Sequence, residues 1–345
     1  MATYYVSKTS GNDGNAGTSA GAAWATITRA LDSAAAGTKI AAGDLVLIER
    51  ENYTEDPSID TAGTVGATIV VRGMETGFAE PADGVQPVTI TGQVVTALGS
   101  GTVAYYRFEN IQQTGASGTG WALGNLQFCT WVNCSALSNT GASSDGWAAR
   151  SFGRWFGCTA SNNGRDGWNT LDSSAEDTVW NNCVAIGNAR HGFHSYTNGV
   201  QFDNCIAHAN TTTGFYSGVM PPTGYSLHNC TADGSATGIR AGGRGASVVN
   251  CIISNNTTGW TGYTTDAYNC VARNNLYYNN GTDRSNAPAG TGDVTGSDPL
   301  FTNYAGDDLT LAAGSPAIAA GYPAYMDIGA RQALVEGGGG MVGII

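Results

Sequence analysis

A motif that recurs between residues 134 and 275 constrains this chain more than any other feature. Most copies read Asn-Cys-x-Ala, with an asparagine five residues after the cysteine and a Gly-aromatic pair further on. Successive cysteines are separated by 24, 25, 22, 25, 21 and 19 residues. A period of just over twenty residues is typical of stacked repeats, in which each unit buries its apolar side only against its neighbours. The repeated cysteines are Cys134, Cys158, Cys183, Cys205, Cys230, Cys251 and Cys270.

The residues within each repeat predict strands rather than helices. Each unit is rich in Gly, Asn, Thr and Ser and contains only short apolar alternations such as Val200-Gln-Phe202. The long 3.6-residue pattern of an amphipathic helix is missing from these units. Short strands joined by turns and stacked coil on coil form an all-β parallel β-helix, with equivalent positions about 4.8 Å apart along its axis.

This fold predicts internal columns of equivalent side chains. The cysteines form one column, and the large apolar residues that follow the glycines form another. A third column lies three residues before each cysteine and includes Trp131, Trp155, Trp180 and Phe202. Asparagine suits turns because its side chain bonds nearby backbone groups and tolerates unusual dihedrals. The turn residues five positions after the cysteines are Asn139, Asn163, Asn188, Asn210, Ser235, Asn256 and Asn275, and the column after the glycines is Trp121, Trp147, Trp168, Phe193, Phe215, Ile239 and Trp260.

The chain is predicted to form one domain over residues 1–331. Residues 1–39 are an N-terminal cap, residues 40–296 form the coils, and residues 297–331 form the closing coils. A capping helix is expected over roughly 22–35, with Trp24, Ile27 and Leu31 on one face. Such a helix would cover the first coil, whose free strand edge invites pairing with other chains.

Both ends of the chain resemble a known group, the right-handed parallel β-helix proteins of the pectate-lyase-like superfamily. The resemblance covers nearly the whole chain to about residue 331 and implies a single-stranded right-handed β-helix. That group includes lyases, hydrolases, epimerases and viral spikes, so a shared fold does not select one function. The matching segments are Tyr4-Tyr-Val-Ser7, Asn15-x-Gly-Thr18, Trp24-Ala-Thr-Ile27, Ser297-Asp-Pro-Leu-Phe301, Gly314-Ser-Pro-Ala-Ile318 and Asp327-Ile-Gly-Ala330.

Composition excludes several classes of partner. The net charge is −12 and the chain has two lysines, Lys8 and Lys39. A nucleic-acid partner is not expected, because such binding requires clustered Lys and Arg. No apolar run approaches the length of a membrane span. The cysteines keep the phase of the repeat and are predicted to be packed free thiols. No His or Cys cluster has the spacing of a zinc site, so no metal is predicted.

The N-terminus leads directly into a predicted strand. It shows no charged leader, apolar core or cleavage site, so no signal peptide is seen. Assembly in the cytoplasm or into a virion is therefore expected. The alternative is a secreted protein whose leader had already been removed.

Outward-facing residues on consecutive coils are the candidates for chemistry, because they stack into columns. If the residue after each glycine points inward, the next points outward. Just before the glycines, Arg165-Asp166 is expected beside Arg190-His191 of the next coil. The outward columns read Ala148, Asn169, His194, Tyr216, Arg240 and Thr261 on one face, and Asn181, Asp203 and His228 on another.

One interpretation of this face is a polyuronate site. A lyase or epimerase needs a base for the C5 proton, a cation for the sugar carboxylate and a group that serves the leaving oxygen. His194, Tyr216 and Arg240 are the candidate catalytic residues if the protein is an enzyme. The alternative is a solvated polar face on which these residues meet by chance. Candidate glycan contacts are Arg165, Asp166, Asn169, Arg190, His191 and Tyr196.

The resemblance also implies what a catalytic member should carry. Lyases of this group typically use a Lys or Arg base beside calcium held by several carboxylates, so calcium is expected only under the lyase alternative. Neither lysine lies in the coils, and the aspartates of the coils do not stack in neighbouring columns. Related hydrolases need paired aspartates, whereas Asp307-Asp308 is predicted to be a turn. The run Arg190-His-Gly-Phe-His194 is similar to a segment of alginate epimerases.

Residues 332–345 continue no repeat and are predicted to be a flexible Gly-rich tail with an apolar tip. Four glycines act as a spacer. Met341, Val342, Ile344 and Ile345 are then candidates for docking onto a neighbouring subunit or a larger assembly. The alternative is a frayed terminus.

Three functional hypotheses follow from the sequence. The first is a non-enzymatic virion-associated or surface protein of the decoration, spike or fibre type that contacts host or environmental glycans. The second is a polysaccharide lyase or C5-epimerase acting on an acidic glycan. The third is an inert structural β-solenoid.

Overall fold

Three parallel β-sheets wind around one axis to form a β-solenoid. A computed structural model of the chain describes residues 1–32, 40–96, 103–124, 126–149, 152–170, 177–196, 198–217, 224–241, 245–262 and 270–330. Every pairing within the three large sheets is parallel and joins one coil to the next. The predicted all-β solenoid is therefore confirmed.

Each sheet takes one strand from successive coils. Sheet A contains Thr3–Val6, Leu45–Glu49, Ile69–Met74, Tyr106–Glu109, Thr130–Val132, Arg154–Phe156, Val179–Asn181, Gln201–Asp203, Ser226–His228, Ser247–Val249 and Val271–Arg273. Sheet B contains Asn52–Thr54, Val88–Thr91, Ile111–Thr114, Ser135–Leu137, Thr159–Ser161, Val184–Ile186, Ile206–His208, Thr231–Asp233, Ile252–Ser254, Leu276–Tyr278 and Val294–Thr295. Sheet C contains Ser58–Ile59, Val94–Thr96, Trp121–Leu123, Trp147–Ala149, Trp168–Thr170, His191–Ser195, Thr213–Ser217, Thr237–Arg240, Thr258–Thr261 and Thr282–Ser285.

Smaller elements complete the described chain. Val103–Ala104 pairs in parallel with Leu126–Gln127, and Phe301–Asn303 pairs antiparallel with Asp308–Leu311. The short helices are an α-helix over Ile27–Leu31 and 3₁₀ turns at Ala20–Ala22, Thr76–Phe78 and Tyr304–Gly306. None of the described helices has the length and apolar character needed to span a membrane.

Stacked aromatic rings fill the interior. Along the column after the glycines, successive rings from Trp121 to Phe215 have centroids 4.6 to 6.4 Å apart and lie within 6° of parallel. The column from Trp131 to Phe202 is stacked at 4.7 to 5.0 Å. All of these side chains are buried. Aromatic burial and stacking therefore hold adjacent coils in register, as the repeat predicts.

The cysteine column is confirmed as a row of packed thiols. Seven of the eight cysteines are buried, and none of them forms a disulfide. The Cys205 thiol donates to the backbone oxygen of Trp180 at 3.4 Å, so the sulfur keeps a hydrogen-bond partner. Burial raises the pKa of Cys134 to about 12, which keeps that thiol protonated at neutral pH.

The asparagines have two separate roles. Those directly before the cysteines adopt left-handed backbone, with φ between 49° and 55° at Asn133, Asn182, Asn204, Asn229 and Asn250, a conformation that asparagine tolerates better than most residues. Those five residues after the cysteines are buried and bond to one another along the axis. The Nδ2 atoms of Asn163 and Asn188 each donate to the Oδ1 of the next asparagine at 2.9 Å. This ladder satisfies amides that would otherwise be costly to bury.

Cys270 and Asn275 do not occupy the predicted positions. Leu276 pairs with Ile252, which aligns Asn275 with Cys251, and Asn275 accepts a hydrogen bond from the Cys251 backbone nitrogen at 2.9 Å. Asn256 instead donates to Asn280 at 3.1 Å. The cysteine column therefore ends at Cys251, and asparagine takes its position on the next coil.

The predicted capping helix is wrong for most of its length. The helix covers Ile27–Leu31, and residues 33–35 of the predicted span lie outside the described residues. Thr26 caps the first turn by accepting from Arg29 N at 3.0 Å, and Glu55 binds the amides of Ile27 and Thr28 at 2.9 and 2.8 Å. The apolar spacing signalled burial correctly, but these caps and the β-region backbone of Thr26 and Asp32 limit the helix to five residues.

The segment after the last parallel strand packs on the outer face of sheet B. Leu309 and Ala330 bury against Ile206, while Ala317 and Ile328 bury against Ile252 and its neighbours. The predicted tail 332–345, including Met341, Val342, Ile344 and Ile345, lies outside the described residues.

Candidate active site

The predicted column on sheet C is in register. Strand pairing aligns Ala148 with Asn169, Asn169 with His194, His194 with Tyr216, Tyr216 with Arg240 and Arg240 with Thr261. A glycine two residues before each member allows this close stacking. A Cβ atom on Gly167 would lie 2.6 Å from the backbone oxygen of Gly192. The coils can therefore meet here only if that position lacks a side chain.

Burial differs along the column. The residues Asn169 and His194 are 5% and 2% exposed, although the alternation predicted outward-facing positions for both. Tyr216 is half-buried and Arg240 is exposed. His194 is covered because the ring of Tyr196 lies over it.

Two aspartate–arginine pairs form the base of the site. Arg165 binds both carboxylate oxygens of Asp145, through Nε at 2.6 Å and through Nη2. One coil on, Arg190 binds Asp166 in the same way, with Nε at 2.7 Å. Bidentate pairs of this kind fix both partners in orientation. Asp145 was not predicted, although it precedes its glycine just as Asp166 and His191 precede theirs, and that shared position was the available signal.

Asp166 also orients His194. One carboxylate oxygen lies 2.9 Å from Nδ1 of His194, and the other accepts from the His191 backbone nitrogen at 3.1 Å. Burial alone would raise the pKa of Asp166, but hydrogen bonds from Arg190 and His194 outweigh it and lower the pKa. An ionised Asp166 favours the tautomer with a proton on Nδ1, because two acceptors would repel each other, although a nitrogen of Arg190 also lies 3.1 Å from this atom. The unprotonated nitrogen of neutral His194 is therefore Nε2, which is buried and makes no hydrogen bond among the described residues.

His191 lies beside this pair as a neutral imidazole. Burial lowers the pKa of His191 to about 3, although the charge of Asp166 opposes the change. The ring stacks on Tyr216 with centroids 4.5 Å apart and an interplanar angle of 7°. Its Nδ1 is buried and, like Nε2 of His194, makes no hydrogen bond within the described part of the chain.

Two tyrosines and an arginine form the rim. Tyr196 lies over His194 with ring centroids 4.4 Å apart and is 38% exposed. Tyr216 meets His194 edge to face at 4.7 Å, and the Arg240 guanidinium lies 5.3 Å from the Tyr216 ring centre. A buried imidazole therefore lies directly beneath groups that solvent and a large ligand can reach.

All nine predicted site residues belong to one contact network. Asp145 joins Arg165 to Asn169, with Asn169 Nδ2 at 3.0 Å from its carboxylate, and Asp166 joins Arg190, His191 and His194. His228 lies apart on sheet A, where it pairs with Asp203 at 3.5 Å.

The fourth histidine forms a separate cluster on sheet B that the sequence did not predict. Nδ1 of His208 lies 2.8 Å from Asp233, and its Nε2 lies 3.1 Å from Asp307. Tyr304 donates to Asp233 at 3.0 Å. Asp307 ends a 3₁₀ turn in left-handed conformation, as predicted, but Asp308 begins the strand Asp308–Leu311 rather than continuing the turn. The C-terminal segment therefore covers this histidine.

Comparison with known proteins shows the fold. No family model matches the chain, and no curated protein matches it. A solved pectate lyase, Pel9A, aligns over 96% of both chains with a TM-score of 0.62 and 19% identity. A solved rhamnogalacturonan lyase covers 80% of this chain and 87% of its own, with a TM-score of 0.52 and 16% identity. The chain thus has the parallel β-helix fold of pectate-lyase-like proteins.

Proposed function

We propose that this protein is an enzyme that acts on an acidic polysaccharide by removing the C5 proton of a uronate residue, as a lyase or a C5-epimerase. One observation carries the proposal. Asp166 fixes Nδ1 of His194, and this leaves Nε2 unprotonated and without a hydrogen-bond partner beneath the rim of sheet C. An aspartate that holds one imidazole nitrogen so that the other can accept a proton is a recurrent arrangement for a general base.

The surrounding residues suit the remaining steps. Arg240 is the exposed cation that would neutralise the uronate carboxylate and the charge that develops on it as the C5–H bond breaks. In the lyase reaction the electron pair forms the C4=C5 bond, the C4–O bond breaks, and the Tyr216 hydroxyl gives its proton to the leaving oxygen. In the epimerase reaction the C4–O bond stays intact, and C5 regains a proton from the opposite face.

Substrate access requires a local rearrangement. His194 is 2% exposed, so Nε2 cannot reach a sugar while Tyr196 lies over its ring. Tyr196 is itself 38% exposed and directly follows the strand His191–Ser195, so the proposal requires its side chain to turn outward. Catalytic contacts often tighten only when substrate is bound. Arg165, Arg190 and Asn169 would then hold the site rather than touch the sugar.

The similar solved structures support the class of substrate only by analogy. Both are named as lyases, but likeness of fold does not assign an activity. The site also differs from the expectation attached to the resemblance, because its base is a histidine rather than Lys or Arg. Calcium remains a prediction under the lyase alternative.

The test is turnover of polyuronates by the full chain. Alginate, polygalacturonate and rhamnogalacturonan are incubated with protein, and unsaturated uronate is followed by absorbance while C5 exchange is followed by NMR in D₂O. His194→Gln should lower the rate at least about a hundredfold, the usual contribution of a general base. His228→Gln is the matched control, because His228 lies on another sheet. Equal rates for the wild type and His194→Gln would refute the proposal.

The non-enzymatic hypothesis remains the competing outcome. A virion-associated or surface protein would bind glycan through Tyr196, Tyr216 and Arg240 without changing it. Saturable glycan binding with neither unsaturated product nor C5 exchange would support that hypothesis. An inert solenoid would neither bind nor react.

A further inference from the structure

Three buried polar atoms of the candidate site lack hydrogen bonds among the described residues. They are Oδ1 of Asn169, Nδ1 of His191 and Nε2 of His194, on residues that are 5%, 7% and 2% exposed. Buried polar atoms without partners are uncommon in folded proteins and call for a specific explanation. The two imidazoles have ring centroids 4.9 Å apart, and Asn169 pairs with His194 across the coils, so a shared ligand would explain all three atoms.

The chemistry of these atoms selects the kind of ligand. Asn169 Oδ1 is an acceptor, because Nδ2 of the same amide donates to Asp145. Nε2 of His194 is an acceptor, because Nδ1 carries the proton toward Asp166. With its proton on Nε2, neutral His191 likewise offers a lone pair at Nδ1. A set of acceptors without donors suits a cation.

Imidazole nitrogen distinguishes between cations. Calcium and magnesium prefer oxygen ligands, whereas neutral imidazole suits zinc, copper and nickel. The oxygens of Asp166 are already bonded by Arg190 and His194, so this site cannot offer several carboxylates. The ligand set therefore points to a divalent transition metal.

The spacing fits one metal ion. The ring centres of His191 and His194 lie 4.9 Å apart. Two imidazoles on one tetrahedral zinc have ring centres roughly 5 Å apart, given Zn–N bonds of about 2.1 Å. One ligand atom from each of Asp166, His191 and His194 lies within 4.8 Å of the others.

The residues around these nitrogens also have the form of a metal site. Metal-binding histidines usually donate their second nitrogen to a carboxylate, which fixes the ring and raises its basicity. Asp166 does this for His194 at 2.9 Å. The two arginines at the base of the site are each paired with an aspartate, Arg165 with Asp145 and Arg190 with Asp166, so the charges of these four residues are balanced before an ion enters.

We propose that Nδ1 of His191 and Nε2 of His194 bind one divalent transition-metal ion of the zinc type, with Asn169 beside it and Asp166 as the outer carboxylate. Both proposed ligands lie on one strand, His191–Ser195, and the stacking of coils adds Asn169 and Asp166 from the preceding coil. A further consequence rests on the proposed function. An ion on Nε2 takes the lone pair that a general base needs, so zinc should inhibit turnover reversibly.

The test measures metal binding directly on the metal-free full chain. Equilibrium dialysis with Zn²⁺ should give one ion per chain, and Co²⁺ should give the absorption of nitrogen and oxygen ligands. His191→Phe keeps the ring stacked on Tyr216 but removes both nitrogens, and should abolish binding. Asp166→Asn should weaken binding about 10- to 100-fold. Melting curves of both variants confirm that they are folded.

His228→Gln is the control for surface binding at the exposed Asp203–His228 pair. The proposal is overturned if the wild type binds no zinc, if His191→Phe binds as the wild type does, or if cobalt shows the intense bands of thiolate ligands. The two proposals fail separately. Zinc binding without polyuronate turnover leaves the metal site standing, whereas turnover that zinc does not inhibit refutes the shared use of Nε2.

Discussion

Two buried aspartate–histidine pairs lie on neighbouring coils, and they differ in the second imidazole nitrogen. Asp166 holds His194 at 2.9 Å on sheet C, and Asp233 holds His208 at 2.8 Å on sheet B. Nε2 of His194 makes no hydrogen bond among the described residues, whereas Nε2 of His208 lies 3.1 Å from Asp307. Both histidines are buried, so the difference lies in the hydrogen bonding of Nε2, which the C-terminal segment supplies to His208 and no described residue supplies to His194.

The charges around the two histidines also differ, because at His194 an arginine accompanies the single carboxylate. A guanidinium nitrogen of Arg190 lies 3.1 Å from Nδ1 of His194. Carboxylates lie at both nitrogens of His208, and although burial lowers its pKa, Asp233 and Asp307 raise it overall. The sheet B histidine is thus suited to be a cation that joins two segments. An Asp–His pair becomes reactive only where its surroundings leave one nitrogen available.

The largest expected difference concerns activity. Asp166→Asn should lower polyuronate turnover at least about a hundredfold, because an amide can donate to Nδ1 and move the imidazole proton to Nε2. Asp233→Asn should leave turnover close to that of the wild type. Rates are compared at saturating substrate. Similar losses in the two variants would remove the distinction between the pairs.

For stability, the larger effect is expected from substitution of Asp233 on sheet B. Asp233 accepts hydrogen bonds from Ser254 at 2.6 Å and Asn255 at 2.7 Å as well as from Tyr304 and His208. Asp233→Ala should cost about 3–5 kcal/mol, because it leaves a buried cation and several donors unpaired. Denaturant unfolding measures the loss, and limited proteolysis after residue 296 should accelerate. Ser254→Ala, which removes one donor, should cost only about 1 kcal/mol. Equal losses of unfolding free energy in these two variants would show that Asp233 does not hold the C-terminal segment in place.

A substitution in the hydrophobic core tests whether a general loss of stability also lowers turnover. Cys205 lies on the coil that carries both His208 and Tyr216, but its thiol faces the core. Cys205→Ser should cost on the order of 1–3 kcal/mol, because a hydroxyl is more expensive to bury than a thiol. Turnover well below the melting temperature should persist. Cys270→Ser, at a half-buried thiol outside the column, should change stability by about 0.5 kcal/mol or less. If turnover fell with stability in Cys205→Ser, loss of activity in the aspartate variants would carry no specific meaning.

The repeat made most of the coil architecture predictable. The fixed spacing of Gly, Cys and aromatic residues places residues of the same type at equivalent positions on successive coils. The columns that begin at Trp121 and Trp131 could therefore be predicted from the spacing alone. Prediction from the spacing fails where a coil has a different residue type at a column position. Asn275 replaces cysteine in the core, and the apparent motif at Cys270 lies five residues too early.

The candidate site was predictable in membership but not in arrangement. Register brought Asn169, His194 and Tyr216 together, as the column required. Strand alternation alone could not show that His194 is covered, since Tyr196, which contacts it, lies just beyond the end of the strand His191–Ser195. The contact of His208 with Asp307 spans 99 positions in the chain, and no local pattern encodes it.

The smallest expected effect is a pH-dependent loosening of the C-terminal segment. A histidine whose pKa is raised by folding stabilises the fold fully below its ordinary value of about 6.5, and this contribution is lost as pH rises through the raised value. Neutral His208 keeps its proton on Nδ1 for Asp233, so its Nε2 lone pair then faces the Asp307 carboxylate. Hydrogen exchange of the Asp308–Leu311 amides, corrected for intrinsic rates, should therefore show less protection at mildly alkaline pH. His208→Gln should remove this dependence. His228→Gln should leave this dependence unchanged. Asp203 also raises the pKa of His228, but that pair is about half exposed on sheet A, so solvent screens its contribution to stability. If the pH dependence of protection persisted in His208→Gln, another titratable group would be responsible for it.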